Sequence, residues 1–171
     1  MLNFTLEHEL DCSADRFWEL FLDPDFTHDM IVEGLDFASC EVGKLEEKGA
    51  TMIRPMRVVP KLDLPAAVAK VLGPKLGYTE AGVYHPKEQR WRYDLTLSVL
   101  SDRIKIGGDV TTRALGEHKC VRVSTHQVEI KIFGVGSLAE RAARSNMEDG
   151  WGKSAVWTNR WLAEHPAPAQ S

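Results

Sequence analysis

No window of this 171-residue sequence approaches the roughly 18 uninterrupted apolar residues that a membrane-spanning helix needs. The first residues, Met-Leu-Asn-Phe-Thr-Leu-Glu-His-Glu-Leu, alternate apolar and polar side chains and lack the basic segment followed by an apolar stretch that marks a secretory leader. The expected compartment is the cytoplasm. Cysteine is scarce: Cys12, Cys40 and Cys120 are odd in number and widely spaced, with no second Cys or His at ligand distance, so neither a disulfide framework nor a zinc site is expected, and the thiols read as reduced and buried. Positive charge is also lacking. The 21 Lys and Arg against 25 Asp and Glu leave a formal charge of -4, which excludes the clustered basic surface that nucleic-acid binding requires.

Nucleotide, serine-hydrolase and zinc motifs are missing too. Gly134-Val-Gly-Ser137 has neither the lysine nor the spacing of a phosphate loop, and no Gly-x-Ser-x-Gly, His-Glu-x-x-His or Cys-x-x-Cys occurs. Gly134 and Gly136 read instead as a strand-to-helix turn. No catalytic residue, metal or organic cofactor is assigned on this basis.

What is present is ordinary globular composition, 43% hydrophobic and 27% charged. The length suits one domain with its own core, assigned to residues 1–165, with a flexible tail at 166–171. Leu2, Phe4, Leu6 and His8 share a phase, as in a half-buried strand. Ser13 caps a helix carrying Phe17, Leu20 and Phe21 that stops before Pro24. A second short helix is expected from Asp25 to Ile31, ending at Gly34. Leu35 to Pro60 reads as two strands. Pro60, Pro65 and Pro74 bracket a short apolar helix, Ala66 to Leu72, as an insertion. Strands resume over Tyr78 to His85, Gln89 to Leu100, Ile104 to Thr112 and Cys120 to Phe133. Leu138 to Leu162, without proline and with apolar and charged residues at helical spacing, is one long helix.

The expected class is therefore α+β: an antiparallel sheet of about six to seven strands curved around a long carboxy-terminal helix, with two short helices after the first strand. Only that last helix is long enough to cover the apolar face of the sheet. Two segments carry a family likeness. Phe4-Thr-Leu-Glu-His-Glu-Leu-Asp-Cys-Ser-Ala-Asp-Arg-Phe-Trp-Glu-Leu-Phe-Leu-Asp-Pro resembles the opening of the START-like superfamily, also called SRPBCC, which includes birch-pollen allergens and polyketide cyclase/dehydrase-like proteins. Val128-Glu-Ile-Lys-Ile-Phe-Gly-Val-Gly-Ser-Leu-Ala-Glu-Arg and the closing Thr158-Asn-Arg-Trp-Leu are similar to an uncharacterised bacterial branch, with Phe133 where proline is commoner. The resemblance covers almost the whole chain and implies the helix-grip fold and the lipid-binding or lipid-transfer class of function.

A fold of this kind holds its guest between the sheet and the long helix. Trp91, Tyr93, Leu95, Leu97, Ile104, Ile106 and Val110 on the strands, with His126, Met147 and Trp151, are the candidate ligand-binding residues; core filling is the alternative for any one of them. Arg54, Arg57, Tyr93 and Asp94 are candidate orienting groups. Gly150 and Gly152 each cost a helix about 1 kcal/mol relative to alanine, so they are expected to leave room for a ligand or let the helix bend beside Trp151 and Trp157, or else to allow close packing on the sheet. In the insertion, Leu64, Val68, Val71 and Leu72 form an apolar face among Lys61, Lys70 and Lys75. It reads as a cap over one end of the core, with a ligand gate or a lid in transient membrane contact as alternatives.

The leading expectation is a carrier or sensor of a small hydrophobic guest: a fatty acid, sterol, isoprenoid or polyketide. The rivals are a cyclase or dehydratase that moves a proton with His126 and Tyr93, and a protein-interaction module without a ligand. The sequence leaves the oligomeric state open.

Overall fold

The computed structural model describes residues 1–168. The strand β1 (Leu2–Leu10) is followed by α1 (Ala14–Leu22) and α2 (Pro24–Asp29), and α2 runs into a turn of π-helix at Met30–Gly34. The sheet continues with β2 (Ser39–Val42), β3 (Glu46–Lys48) and β4 (Thr51–Val59). After the insertion helix α3 (Ala66–Leu72) come β5 (Tyr78–His85), β6 (Arg90–Leu97), β7 (Ile104–Ala114), β8 (Cys120–Ile130) and the long α4 (Gly136–Glu164). The expected tail falls partly on residues 169–171, which lie outside the described residues.

All eight strands form one antiparallel sheet in the order β1-β8-β7-β6-β5-β4-β2, with β3 also paired to β4. First and last strands are neighbours, Leu2 opposite Val128 and Leu10 opposite Cys120. The fold class is the α+β helix-grip arrangement. The count of strands exceeds the expectation because Leu35 to Pro60 holds three: β3 is three exposed residues and carries no alternation to read.

Local chemistry explains the helical elements. Ser13 Oγ accepts from the Arg16 amide at 3.1 Å and starts α1. The Asp23 carboxylate accepts from the Asp25 and Phe26 amides at 2.8 and 3.1 Å, with Pro24 at the first helical position, where its missing N–H costs nothing. Gly34 ends the π turn against α4: a Cβ there would stand 2.9 Å from Cγ of Trp157. Alanines 139, 142 and 155 are the buried small residues of α4. That helix makes its main contacts with β1, β8 and the π turn, so it lies along one edge of the sheet and against the α1–α2 unit, and β4 to β7 stand off from it.

Among the described residues, three apolar clusters fill the interior, the smallest being Ile31, Met56 and Val58 where the π turn meets β4. Of the larger two, one joins α1 to the sheet through Phe17, Trp18, Tyr84 and Trp91. The other seats α3 on the sheet and on the start of α4, through Val68, Leu72, Leu97, Ile104, Ile130 and Ala139. Cys12 and Cys120 are buried, Cys40 is half-buried, and all three are free. Among the described residues, no helix is long and apolar enough to cross a membrane.

Candidate functional site

The space left between α4 and the inner face of the sheet is a cavity of about 240 Å³. It exceeds the roughly 150 Å³ of a protein cavity that admits benzene. Phe17, Leu20 and Phe21 of α1, with Phe26 and Thr27 of α2, close one end. The insertion closes another with Leu62, Leu64, Val68, Leu72 and Leu76. Asn146 of α4 ties this segment down: its Oδ1 accepts from the Asp63 amide at 3.1 Å and its Nδ2 donates to the Asp63 carbonyl at 2.8 Å.

The sheet contributes side chains in strict phase. Arg54 and Met56, Tyr78 and Glu80, Trp91, Tyr93 and Leu97, and Ile104 and Ile106 all face the cavity, because alternate residues of a strand share a face. Gly82 is required by this arrangement: the Trp91 indole lies across it, and a Cβ at that position would collide with the ring.

Two arginines and one glutamate stand on this largely apolar wall. Arg54 is 2% exposed; its Nη1 donates to the Phe21 carbonyl at 2.6 Å and to Thr27 Oγ1 at 3.1 Å, and its guanidinium lies 4.9 Å over the Trp91 ring. Burial lowers its pKa, and the nearby Glu80 opposes this. The carboxyl of Glu80 is pushed up by burial, while Arg54 and a hydrogen bond from Trp91 pull it back. Arg122 on β8 is equally deep but has no acidic partner: burial pushes it down to about 9.

Behind the wall, the hydroxyl of Tyr93 lies 2.5 Å from Nδ1 of His126. Burial, then the charge of Arg122, then His8 push His126 down to about 4, and burial first of all raises the Tyr93 hydroxyl far above its ordinary value. Both groups are therefore neutral near pH 7. The two share one hydrogen bond, whose direction follows the imidazole tautomer, and the other ring nitrogen, Nε2, is a buried atom with no partner, among the rings of Phe4 and Trp151.

Of the residues singled out from sequence, Trp91, Tyr93, Leu97, Ile104, Ile106, Met147 and Trp151 stand on the cavity wall, as do Leu64, Val68 and Leu72 of the insertion. Leu95 packs against two of the apolar clusters beside the cavity. Val110, opposite Trp91 in β7, is fully covered, and His126 reaches the cavity through Tyr93. Val71 is on the solvent flank of α3. Arg57 and Asp94 point outward, being one residue out of phase with Met56 and Tyr93. Gly150 is on the wall with nothing within 4 Å of where its Cβ would be, and Gly152 approaches His8 at 4.0 Å, so close packing on the sheet is not what requires either glycine. Trp157 packs away from the cavity, on Gly34 and Phe26.

Glu80, Arg122 and the α1–α2 aromatic residues were not singled out. The signal for the charged pair was a charge in the buried phase of a strand: Glu80 with Tyr78 and Tyr84, Arg122 with Cys120 and Ser124. Among the described residues, no three His, Cys, Asp or Glu side chains cluster as a metal site.

A family profile described as a protein of unknown function (DUF2505) matches residues 5–162. No curated protein matches the sequence. Solved structures with the same fold include an aromatase/cyclase, Zhui, from a Streptomyces species, at 15% identity and a TM-score of 0.65, covering 94% of this chain and 95% of that one. A START superfamily protein of Mycobacterium smegmatis matches at 15% identity and 0.64, over 94% and 98% of the two chains. A protein of Thermus thermophilus matches at 16% and 0.63, over 97% and 100%. At such identities the likeness establishes the fold, which is START-like.

Proposed function

We propose that this chain, which belongs to the DUF2505 family, encloses a small hydrophobic or lipid-like molecule and acts as its carrier or sensor in the cytoplasm. The observation that carries this reading is the cavity itself. A sheet and helix that could have closed on each other leave about 240 Å³ between them, although empty apolar space costs a protein about 24 cal/mol for each Å³. An occupant would restore those lost contacts. Trp91, Tyr93, Leu97, Ile104, Ile106, Met147 and Trp151 are its proposed contacts, and Leu95, Val110 and His126 support them from behind.

The candidate guests are a fatty acid, a sterol, an isoprenoid or a polyketide, held within the domain of residues 1–165. The lid of Leu64, Val68, Val71 and Leu72 is the proposed gate, with the Asn146 to Asp63 bonds as its latch. Leu62 and Val71 are exposed on it near Lys61, Lys70 and Lys75, which supports transient membrane contact during exchange. The uncharacterised bacterial branch that residues 128–141 resemble is where we expect the same guest.

A second reading rests on one observation, the Tyr93–His126 pair. A hydroxyl on the cavity wall backed by a neutral imidazole is suited to giving and taking a proton, as a cyclase or dehydratase requires. One experiment addresses both readings: native mass spectrometry of freshly purified protein, then organic extraction of what it holds. A stoichiometric apolar molecule, bound and released unchanged, is the expected result. A guest that leaves dehydrated or cyclised favours the second reading, and an empty protein that takes up nothing from a lipid and polyketide panel overturns both.

A further inference from the structure

Arg122 is a buried cation with no anion beside it. It is 4% exposed and forms part of the cavity wall. Every group it bonds is neutral: Nη1 donates to Ser154 Oγ at 3.0 Å, and Nη2 to the Trp151 carbonyl at 2.8 Å and to His8 Nδ1 at 3.3 Å. Nε is buried without a partner. Among the described residues no carboxylate lies within the 4.0 Å of an ion pair. The imidazoles beside it supply no negative charge to answer it: His8 and His126 are both pushed down by burial and by Arg122 itself, which favours their neutral forms. The Cys120 thiol offers the guanidinium its one opposing influence.

A guanidinium stays charged and is costly to remove from water unless an opposite charge meets it. The contact with the Trp151 ring, 4.7 Å away, offsets part of that cost but leaves Nε–H unmet. Arg54 also has an unpartnered Nε and, among the described residues, no carboxylate within ion-pair distance, but it has the opposing influence of Glu80 on the same wall, which Arg122 lacks. The unanswered charge is therefore at Arg122, where the cavity meets α4.

We propose that the guest is a hydrophobic carboxylate, its charge answered by the guanidinium of Arg122 on the cavity wall and its apolar body lying among the aromatic and branched side chains of the cavity. This rests on the reading of the interior as a binding cavity, and its test separates the two. Binding of 2-naphthoate and decanoate is measured by calorimetry at pH 7.5 against their neutral counterparts, 2-acetylnaphthalene and decanol. Whichever acid binds more tightly identifies the body as aromatic or aliphatic.

In the wild-type protein each acid is expected to bind at least about 10-fold more tightly than its counterpart, the scale of a charge-assisted bond. Arg122→Met is expected to abolish that preference while still taking the neutral probes, and Arg122→Lys, which keeps the charge without the planar fork, to retain part of it. Wild-type protein that treats acid and neutral probe alike overturns the anion and leaves the cavity reading standing. An acid preference that survives Arg122→Met also overturns it, since the anion is then held elsewhere. Failure of all four probes to bind overturns the cavity reading and the proposal together. Should Arg122→Met not fold, the wild-type ratio and its change in Arg122→Lys decide.

Discussion

Arg54 and Arg122 are the same side chain, buried to nearly the same degree in the wall of one cavity, and their surroundings differ in kind. Arg54 ties α1 and α2 to the sheet through the Phe21 carbonyl and Thr27 hydroxyl and has the Glu80 carboxyl near it. Arg122 ties β8 to α4 through a serine hydroxyl and a carbonyl and is surrounded by imidazoles. A compensated charge is a structural device. An uncompensated one is a standing cost, and a fold retains such a cost where something outside the chain relieves it.

The largest effects should come from removing each charge in turn. Arg54→Met strips the donor from a buried carbonyl and leaves Glu80 alone on an apolar wall, so a loss of about 3 kcal/mol is expected. Arg122→Met removes a cation that nothing in the chain neutralises; replacing a buried charge by an apolar side chain of similar volume is often neutral or stabilising, and a change of about 1 kcal/mol in either direction is expected. Urea unfolding of both variants beside the wild type measures the contrast. Equal losses would show that the two arginines do the same structural work.

Acid sharpens the comparison, because protons load the Arg122 side with more positive charge. His126 has its folded pKa lowered to about 4 from 6.5, so between those values the unfolded chain binds a proton that the folded chain refuses. The stabilisation is complete above about pH 6.5 and is lost as pH falls towards 4, at about 1.4 kcal/mol per pH unit and on the order of 3 kcal/mol in all. His8, also lowered, adds in the same direction. Glu80, raised by burial, works against them, since it favours the folded state as it takes up its proton. Unfolding free energies at pH 7, 6 and 5 should fall steadily. His126→Asn, whose side-chain amide can still bond Tyr93, should flatten that fall to the His8 contribution; an unchanged slope would place the acid sensitivity elsewhere.

Most of the fold was legible because its elements carry local signals. Ser13 before a helical stripe, Pro24 at a helix start and the alternation of Trp91, Tyr93 and Leu97 each reflect a single physical rule. The short β3 was not legible, since three exposed residues have no buried phase, and neither was the π turn, which depends on Gly34 meeting Trp157 from the far end of the chain. The apolar half of the cavity wall was legible for the same reason as the strands. Of its charged members Arg54 was singled out, but Glu80 and Arg122 were overlooked because alternation was read through apolar residues: they stand in phase with Tyr78 and Cys120, and their polarity counted against them. A charge in the buried phase of a strand is a stronger pointer to a site than any aromatic beside it, because only the charge is expensive to bury. Leu95 and Val110 show the converse, inward phase without a place on the wall.

The smallest expected effect bears on why the cavity exists. Gly150 sits inside α4, where alanine would be favoured by about 1 kcal/mol, and nothing within 4 Å opposes a Cβ. Gly150→Ala should therefore raise stability by up to that amount, while placing a methyl group on the cavity wall. If the glycine serves the guest, the more stable variant should bind 2-naphthoate less well than the wild type, a separation of stability from binding that calorimetry and thermal melting detect in the same samples. If binding is unchanged, the space beside Gly150 is not where the guest lies, and its body must run towards Phe21 and Trp91, nearer Arg54 than Arg122. That outcome would reverse the roles assigned to the two arginines.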